Sequence, residues 1–213
     1  MPDYLKAIGF DDVDSESALQ STLAELAAKS RKVEDGSLVS RPLDTCQVRL
    51  HVDQNGHIDW FTIELDGPEQ TLVIYKADEV KPHGWLIRAF TCIECRPVAP
   101  ISAITEALPL EFSLPRTYFT RLTGIVNTIE PTNAHPGDIA FGQPGPDGTM
   151  DFLGILLSQE AAVNRHTGCE VKLATIAMPA LILATIIPPN SIEPGSVVKC
   201  NGRILSSICD PVP

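Results

Sequence analysis

The chain has 213 residues, 44% of them hydrophobic and 20% charged, long enough to bury roughly 70% of its unfolded surface without help from metals or disulfides. Its formal charge of −11 is divided as 10 Lys/Arg against 18 Asp/Glu in residues 1–109 and 6 against 9 in residues 110–213, with no basic stripe in either half. Binding to nucleic acid and to anionic membranes both draw on clustered Lys and Arg, so the composition argues against either partner.

The 18 Pro and 14 Gly point to many short elements separated by turns, which favours β structure over helix. The first residues, Met1 to Lys6, lack a basic segment followed by an apolar one, and a cytoplasmic protein is expected. Six Cys at 46, 92, 95, 169, 200 and 209 are spread through apolar runs and read as buried thiols of a reducing compartment. No structural disulfide and no cofactor are expected.

Residues 14 to 30 carry the one well-formed helical pattern. Asp14 or Ser15 caps it, Glu16 sits in its first turn, and Leu19, Leu23, Leu26 and Ala27 form an apolar stripe suited to packing on a sheet. Lys29, Arg31 and Lys32 follow at the end that favours cations, and Gly36 stops the segment. From Cys46 to Asp53 the residues alternate, with Cys46, Val48, Leu50 and Val52 on one face and Gln47, Arg49, His51 and Asp53 on the other. Gln54-Asn55-Gly56 supplies a tight turn, and His57 to Leu65 returns as the second strand of a hairpin. Thr71 to Lys76 and Trp85 to Ile93 are expected to extend that hairpin into a meander.

Pro97, Pro100, Pro109 and Pro115 mark a boundary near residue 100, dividing an N-terminal unit (1–100) from a β-rich unit (101–213), unless the two form one continuous domain. Beyond it, Thr117 to Glu130, Ile139 to Gly142 and Phe152 to Leu157 read as strands, and Ser158 to Val163 as a short helix. Leu173 to Ile187 is the interior of the fold: fifteen uncharged residues interrupted by Pro179, read as two buried strands joined at Met178-Pro179 because β-branched residues dominate and Pro breaks a helix. A membrane span needs about 20 apolar residues, and Pro188-Pro189 ends this run too early. Val197 to Ile208 is the last strand. The expected fold class is α+β, mainly antiparallel β: an N-terminal helix with a meander sheet, then a barrel-like or sandwich-like unit.

Ile8-Gly9-Phe10, the hairpin from Val48 to Ile58, and Asn164, Thr167-Gly168, Pro194-Gly195-Ser196-Val197 and Gly202-Arg203-Ile204-Leu205 resemble a group of small bacterial proteins. That resemblance implies no activity. Leu122-Thr123-Gly124-Ile125-Val126 and Pro194 to Gly202 are similar to strands of OB-type barrels, which implies a fold and not a function.

Two constellations carry chemistry. Cys92-Ile93-Glu94-Cys95 has the spacing of a redox or zinc motif, but it ends a strand-like run, where the two thiols point to opposite faces. A zinc site there needs two more ligands, with Cys46, His51 and His83 as the available side chains. The second lies on two loops, Asn133 to Asp138 and Asn164 to Cys169. If they meet, His135 or His166 would act as a base, Asp138 would orient it and Arg165 would hold an anionic substrate. Both loops are also ordinary turn chemistry, and no Walker, HExxH or Gly-x-Ser-x-Gly motif occurs. The leading expectation is therefore a non-enzymatic binding or assembly protein that associates with itself or a protein partner. A small-molecule-binding domain or enzyme using the His/Asp/Arg loops is the alternative.

Overall fold

Ser15 opens the principal helix, α2 (Glu16–Ala28): its hydroxyl accepts a hydrogen bond from Ala18 N at 3.1 Å, satisfying an amide the helix leaves unpaired. Leu23 and Leu26 are the buried part of its apolar stripe. A shorter helix that the sequence pattern does not announce, α1 (Pro2–Ala7), precedes it. The protein is described here by a computed structural model covering residues 2–11, 13–34, 36–80, 84–94, 96–105, 108, 112–135, 141–145 and 148–212.

After the helices come β1 (Arg31–Lys32), β2 (Leu38–Leu43), β3 (Cys46–Val52) and β4 (Ile58–Leu65), an antiparallel sheet in the order β1-β2-β3-β4. The expected hairpin is β3–β4, with Cys46 opposite Leu65 and His51 opposite Trp60. Its turn is held by Asp53, whose carboxylate accepts from the amides of Asn55 and His57, both at 2.8 Å, and Gly56 takes the left-handed φ of +86°.

The remaining strands are β5 (Gln70–Glu79), β6 (Trp85–Ile93), β7 (Arg96–Thr105), β8 (Arg116–Pro131), β9 (Met150–Val163), β10 (Glu170–Met178), β11 (Leu181–Ile187) and β12 (Val197–Pro211). They close into a barrel in the order β10-β11-β8-β5-β6-β7-β12-β9. Two expectations are corrected. Residues 71–76 and 85–93 do not extend the β3–β4 hairpin; β5 pairs with β6 and β8 inside the barrel sheet. Residues 158–163 are not helical: β9 runs through them because β10 supplies a partner as far as the Val163–Glu170 pair, and that pairing outweighs local propensity. The Leu173 to Ile187 run forms two buried strands joined across Met178 and Leu181, with Ala180 at φ +59° in the turn. Residues 139 and 140 of the expected strand before Gly142 lie outside the described residues; Phe141 makes a single bridge to Phe152. No helix of the described residues is long and apolar enough to cross a membrane.

The barrel is internally duplicated. β5 to β8 and β9 to β12 repeat one set of pairings: two consecutive hairpins, then a long strand that pairs antiparallel with the first strand of its own half (β5–β8, β9–β12). The third strand of each half pairs in parallel with the long strand of the other half, β7 with β12 and β11 with β8. The long strands also pair with each other. Gly124 faces Ile204, Ile125 faces Arg203 and Val126 faces Gly202, a register unchanged when the two strands are exchanged. The β8–β12 pair thus pinches the barrel into two rings, β5-β6-β7-β12-β8 and β9-β10-β11-β8-β12, which share it.

Two cores result. Inside the barrel, Leu72, Ile87, Tyr118, Phe152, Ile176, Leu183 and Ile204 are buried together. Outside it, the apolar face of the N-terminal sheet (Val48, Leu50, Phe61, Ile63) and the helices (Leu5, Ile8, Leu26) close over Ile125, Val171, Leu173, Ile186 and Leu205 of the barrel wall.

Candidate functional site

The loop from Asn164 to Cys169 is a docking device. The Asn164 side chain is fully buried: its amide donates to the Ile8 carbonyl at 2.6 Å, and its oxygen accepts from His166 N at 2.8 Å and Thr167 N at 3.2 Å. Thr167 donates its hydroxyl to the Gly9 carbonyl at 2.7 Å. Arg165 gives its backbone amide to Pro42 O at 2.8 Å and its guanidinium to Asp44. His166 has Nε2 3.3 Å from the Ser40 hydroxyl and its ring 6.0 Å from that of Phe10. These contacts tie the segment after α1, and strand β2, to the barrel. Polar side chains at a β-hairpin tip serve docking as well as they serve catalysis, so the residue types alone could not separate the two roles.

His135 lies elsewhere. It is exposed in the loop after β8, whose Pro131 faces Val198, which in turn faces Gly154 of β9. His166 lies beyond Val163, nine residues farther along β9 from Gly154, roughly 30 Å of extended strand. The structure brings Arg165 and His166 to the N-terminal layer and leaves His135 near the other end of that strand. Asp138 lies outside the described residues.

Cys92 occupies a half-buried position on β6 with its sulfur 3.5 Å from the Phe90 carbonyl oxygen, and Cys95 lies outside the described residues. Among the described residues no group of three or more His, Cys, Asp or Glu is placed to hold a metal ion. Burial pushes the thiols of Cys46 and Cys200 up to about 12, which keeps them protonated and unreactive at neutral pH.

Burial, and then the nearby Lys29 ammonium, hold the His166 pKa below its ordinary 6.5, with Glu25 opposing. The sign follows. Above pH 6.5 the ring is neutral in both folded and unfolded chains and its full contribution is present; below it the unfolded chain takes up the proton first, and stability falls until the folded ring also titrates. His166→Gln is therefore expected to lose less stability between pH 7.5 and pH 5 than the parent, measured as the shift in urea midpoint; an equal loss in both would remove His166 from the acid response.

The surface feature best suited to function lies on the outer wall of the first barrel half. Leu72, Ile74, Ile87, Ala89, Ile101 and Ala103 point into the core, so alternation turns Val73, Phe90 and Pro100 outward. The register sets Thr117, Val73, Phe90 and Pro100 in one row across β8, β5, β6 and β7. Tyr75 packs its ring 5.1 Å from that of Phe90 and is 42% exposed, while Val98 and Ile93 beside the row are 46% and 56% exposed. The corresponding outer wall of the second half, at β10 and β11, is buried under the N-terminal layer through Val171, Leu173 and Ile186. This surface was missed in the sequence, although a signal exists: Leu72-Val73-Ile74-Tyr75 is continuously apolar, the pattern of a strand covered on both faces. No protein-family model, no curated protein and no solved structure matches the chain.

Proposed function

We propose that the protein is a non-enzymatic assembly protein of the cytoplasm that associates with a second copy of itself through the outer wall of β5, β6 and β7. The observation that carries this reading is the outward-facing row of half-buried Val73 and Phe90 and exposed Pro100, with exposed Tyr75 beside it. Aromatic and apolar side chains gathered on one sheet face resemble the centre of an interface more than an ordinary surface. The duplicated architecture adds support, since the matching wall of the other half is a covered surface. Free thiols at Cys46, Cys92, Cys169, Cys200 and Cys209 accord with a reducing compartment.

Sedimentation velocity tests the reading. The parent protein is expected to sediment as a dimer or larger species at concentrations in the tens of micromolar, roughly where a modest interface associates. Phe90→Lys should return it to a monomer with an unchanged circular dichroism spectrum, because the side chain points away from the core. A parent that stays monomeric throughout that range rules the proposal out.

A further inference from the structure

The edge strand β4 of the N-terminal sheet meets the barrel along a seam, and a cleft of about 110 Å³ opens there, reached by side chains of the hairpin's polar face. On the hairpin side the register stacks cross-strand pairs on one face: His51 with Trp60, Arg49 with Thr62 and Gln47 with Glu64. The His51 and Trp60 rings lie 3.3 Å apart and within 10° of parallel. On the barrel side, Thr123 faces Leu205 and Arg121 faces Ser207. Two contacts hold the seam: Thr123 accepts a hydrogen bond from Leu65 N at 2.9 Å, and Arg121 donates to Glu64 at 3.2 Å.

The charges around this cleft run against the rest of the molecule. Arg49 and Arg121 both line it, against the single carboxylate of Glu64, in a chain whose formal charge is −11. Glu64 is itself engaged, accepting from Gln47 at 2.8 Å and from Arg121, and its side chain is only 13% exposed. Arg121 remains 48% exposed, and a guanidinium carries five N–H donors, so one edge of its fork is available beyond the Glu64 contact. Ile104, Leu205 and Ile208 supply an apolar part of the lining and Trp60 a flat one.

From this geometry we infer that the seam cleft binds a small carboxylate carrying a flat apolar body of about one ring. The carboxylate meets the guanidinium of Arg121, with Arg49 contributing to the local positive potential, and the ring lies among Trp60, Ile104 and Leu205. A planar fork suits a carboxylate because two parallel N–H···O bonds form together. Size sets the upper limit: a closed apolar cavity of ~150 Å³ accommodates benzene, so this smaller, open cleft of about 110 Å³ seats at most one ring, part of which projects through its mouth. The cleft takes in the far end of β7 through Ile104 and Thr105, beyond Pro100 of the association wall, and its assignment does not rest on self-association.

Isothermal titration calorimetry of the full chain with benzoate, benzamide and benzylamine reads the assignment directly. Benzoate is expected to give a saturable isotherm, with the two isosteres at least about tenfold weaker. Arg121→Met should weaken benzoate by about tenfold or more, and Ser207→Phe, which fills the cleft from an exposed position without removing a charge, should do the same. Benzamide or benzylamine binding as tightly as benzoate would overturn the charge assignment. An absence of saturable heat up to about 10 mM, or benzoate binding indifferent to both substitutions, would overturn the site.

Discussion

Gly202→Ala is expected to prevent the barrel from closing, with a loss of about 3 kcal/mol or more and largely insoluble expression. A methyl group at this buried position would stand 2.3 Å from the Ile125 carbonyl oxygen and 2.8 Å from Val126 Cα. Both obstacles are backbone of β8, which is held by β12 on one side and β11 on the other, so neither moves without breaking a ladder. Gly124, the counterpart in the other half, meets a different obstacle: its nearest neighbour would be the Thr185 methyl at 2.3 Å, a side-chain atom. Gly124→Ala in a Thr185→Ser background should therefore be better tolerated than Gly202→Ala in any single-residue background. Thermal melts of the purified variants check the pair. A Gly202→Ala protein melting within roughly 4 °C of the parent, the shift of about 1 kcal/mol or less, would mean that β8 yields at this point.

The second large effect is expected at Asn164. Removing its side chain leaves the Ile8 carbonyl and the amides of His166 and Thr167 without their partner in a fully buried setting, and each buried group left unsatisfied costs about 1–3 kcal/mol. Partial rehydration at the loop limits the sum, and about 3 kcal/mol is expected for Asn164→Ala. Asn164→Asp keeps the acceptor for the two amides but sets a carboxylate oxygen against the Ile8 carbonyl in a fully buried site, so at neutral pH it is expected to lose about as much as Asn164→Ala. Urea unfolding monitored by circular dichroism gives the comparison, and an alanine variant within about 1 kcal/mol of the parent would show that the loop does not fasten the N-terminal layer.

Local patterns in the sequence announce local structure. The β3–β4 hairpin is legible because alternation and Asn55-Gly56 act within a few residues, and the β10–β11 pair because Pro179 breaks an otherwise β-branched run. The sheet to which a strand belongs is not written in that way. Nothing in Thr71 to Lys76 distinguishes pairing with β4 from pairing with β8, since its apolar residues satisfy either neighbour. Residues 158–163, Ser-Gln-Glu-Ala-Ala-Val, have a fair helical propensity and become strand only because β10 lies beside them. The duplication left little trace: Gly124 and Gly202 correspond, and Glu130-Pro131 and Asp210-Pro211 end the two long strands, but the hairpins between them share a pairing scheme and not a residue pattern. His166 and Arg165 were legible as a polar loop, whereas their partners on the N-terminal segments, 120 residues and more away in the chain, were not.

The exchange of long strands between the halves also bears on synthesis. The first ring cannot be completed by residues 70–131 alone, because the edge of β7 that is not paired with β6 is met, among the described residues, by Leu205 and Ser206 of β12. A chain emerging from the ribosome would therefore carry β5 to β8 with a gap in the wall until β12 is translated, and both rings would close together in one step. Such long-range closure makes folding slow and leaves strand edges open to wrong partners. A nascent chain arrested before β12 should accordingly remain sensitive to protease over its whole barrel, not over its second half alone.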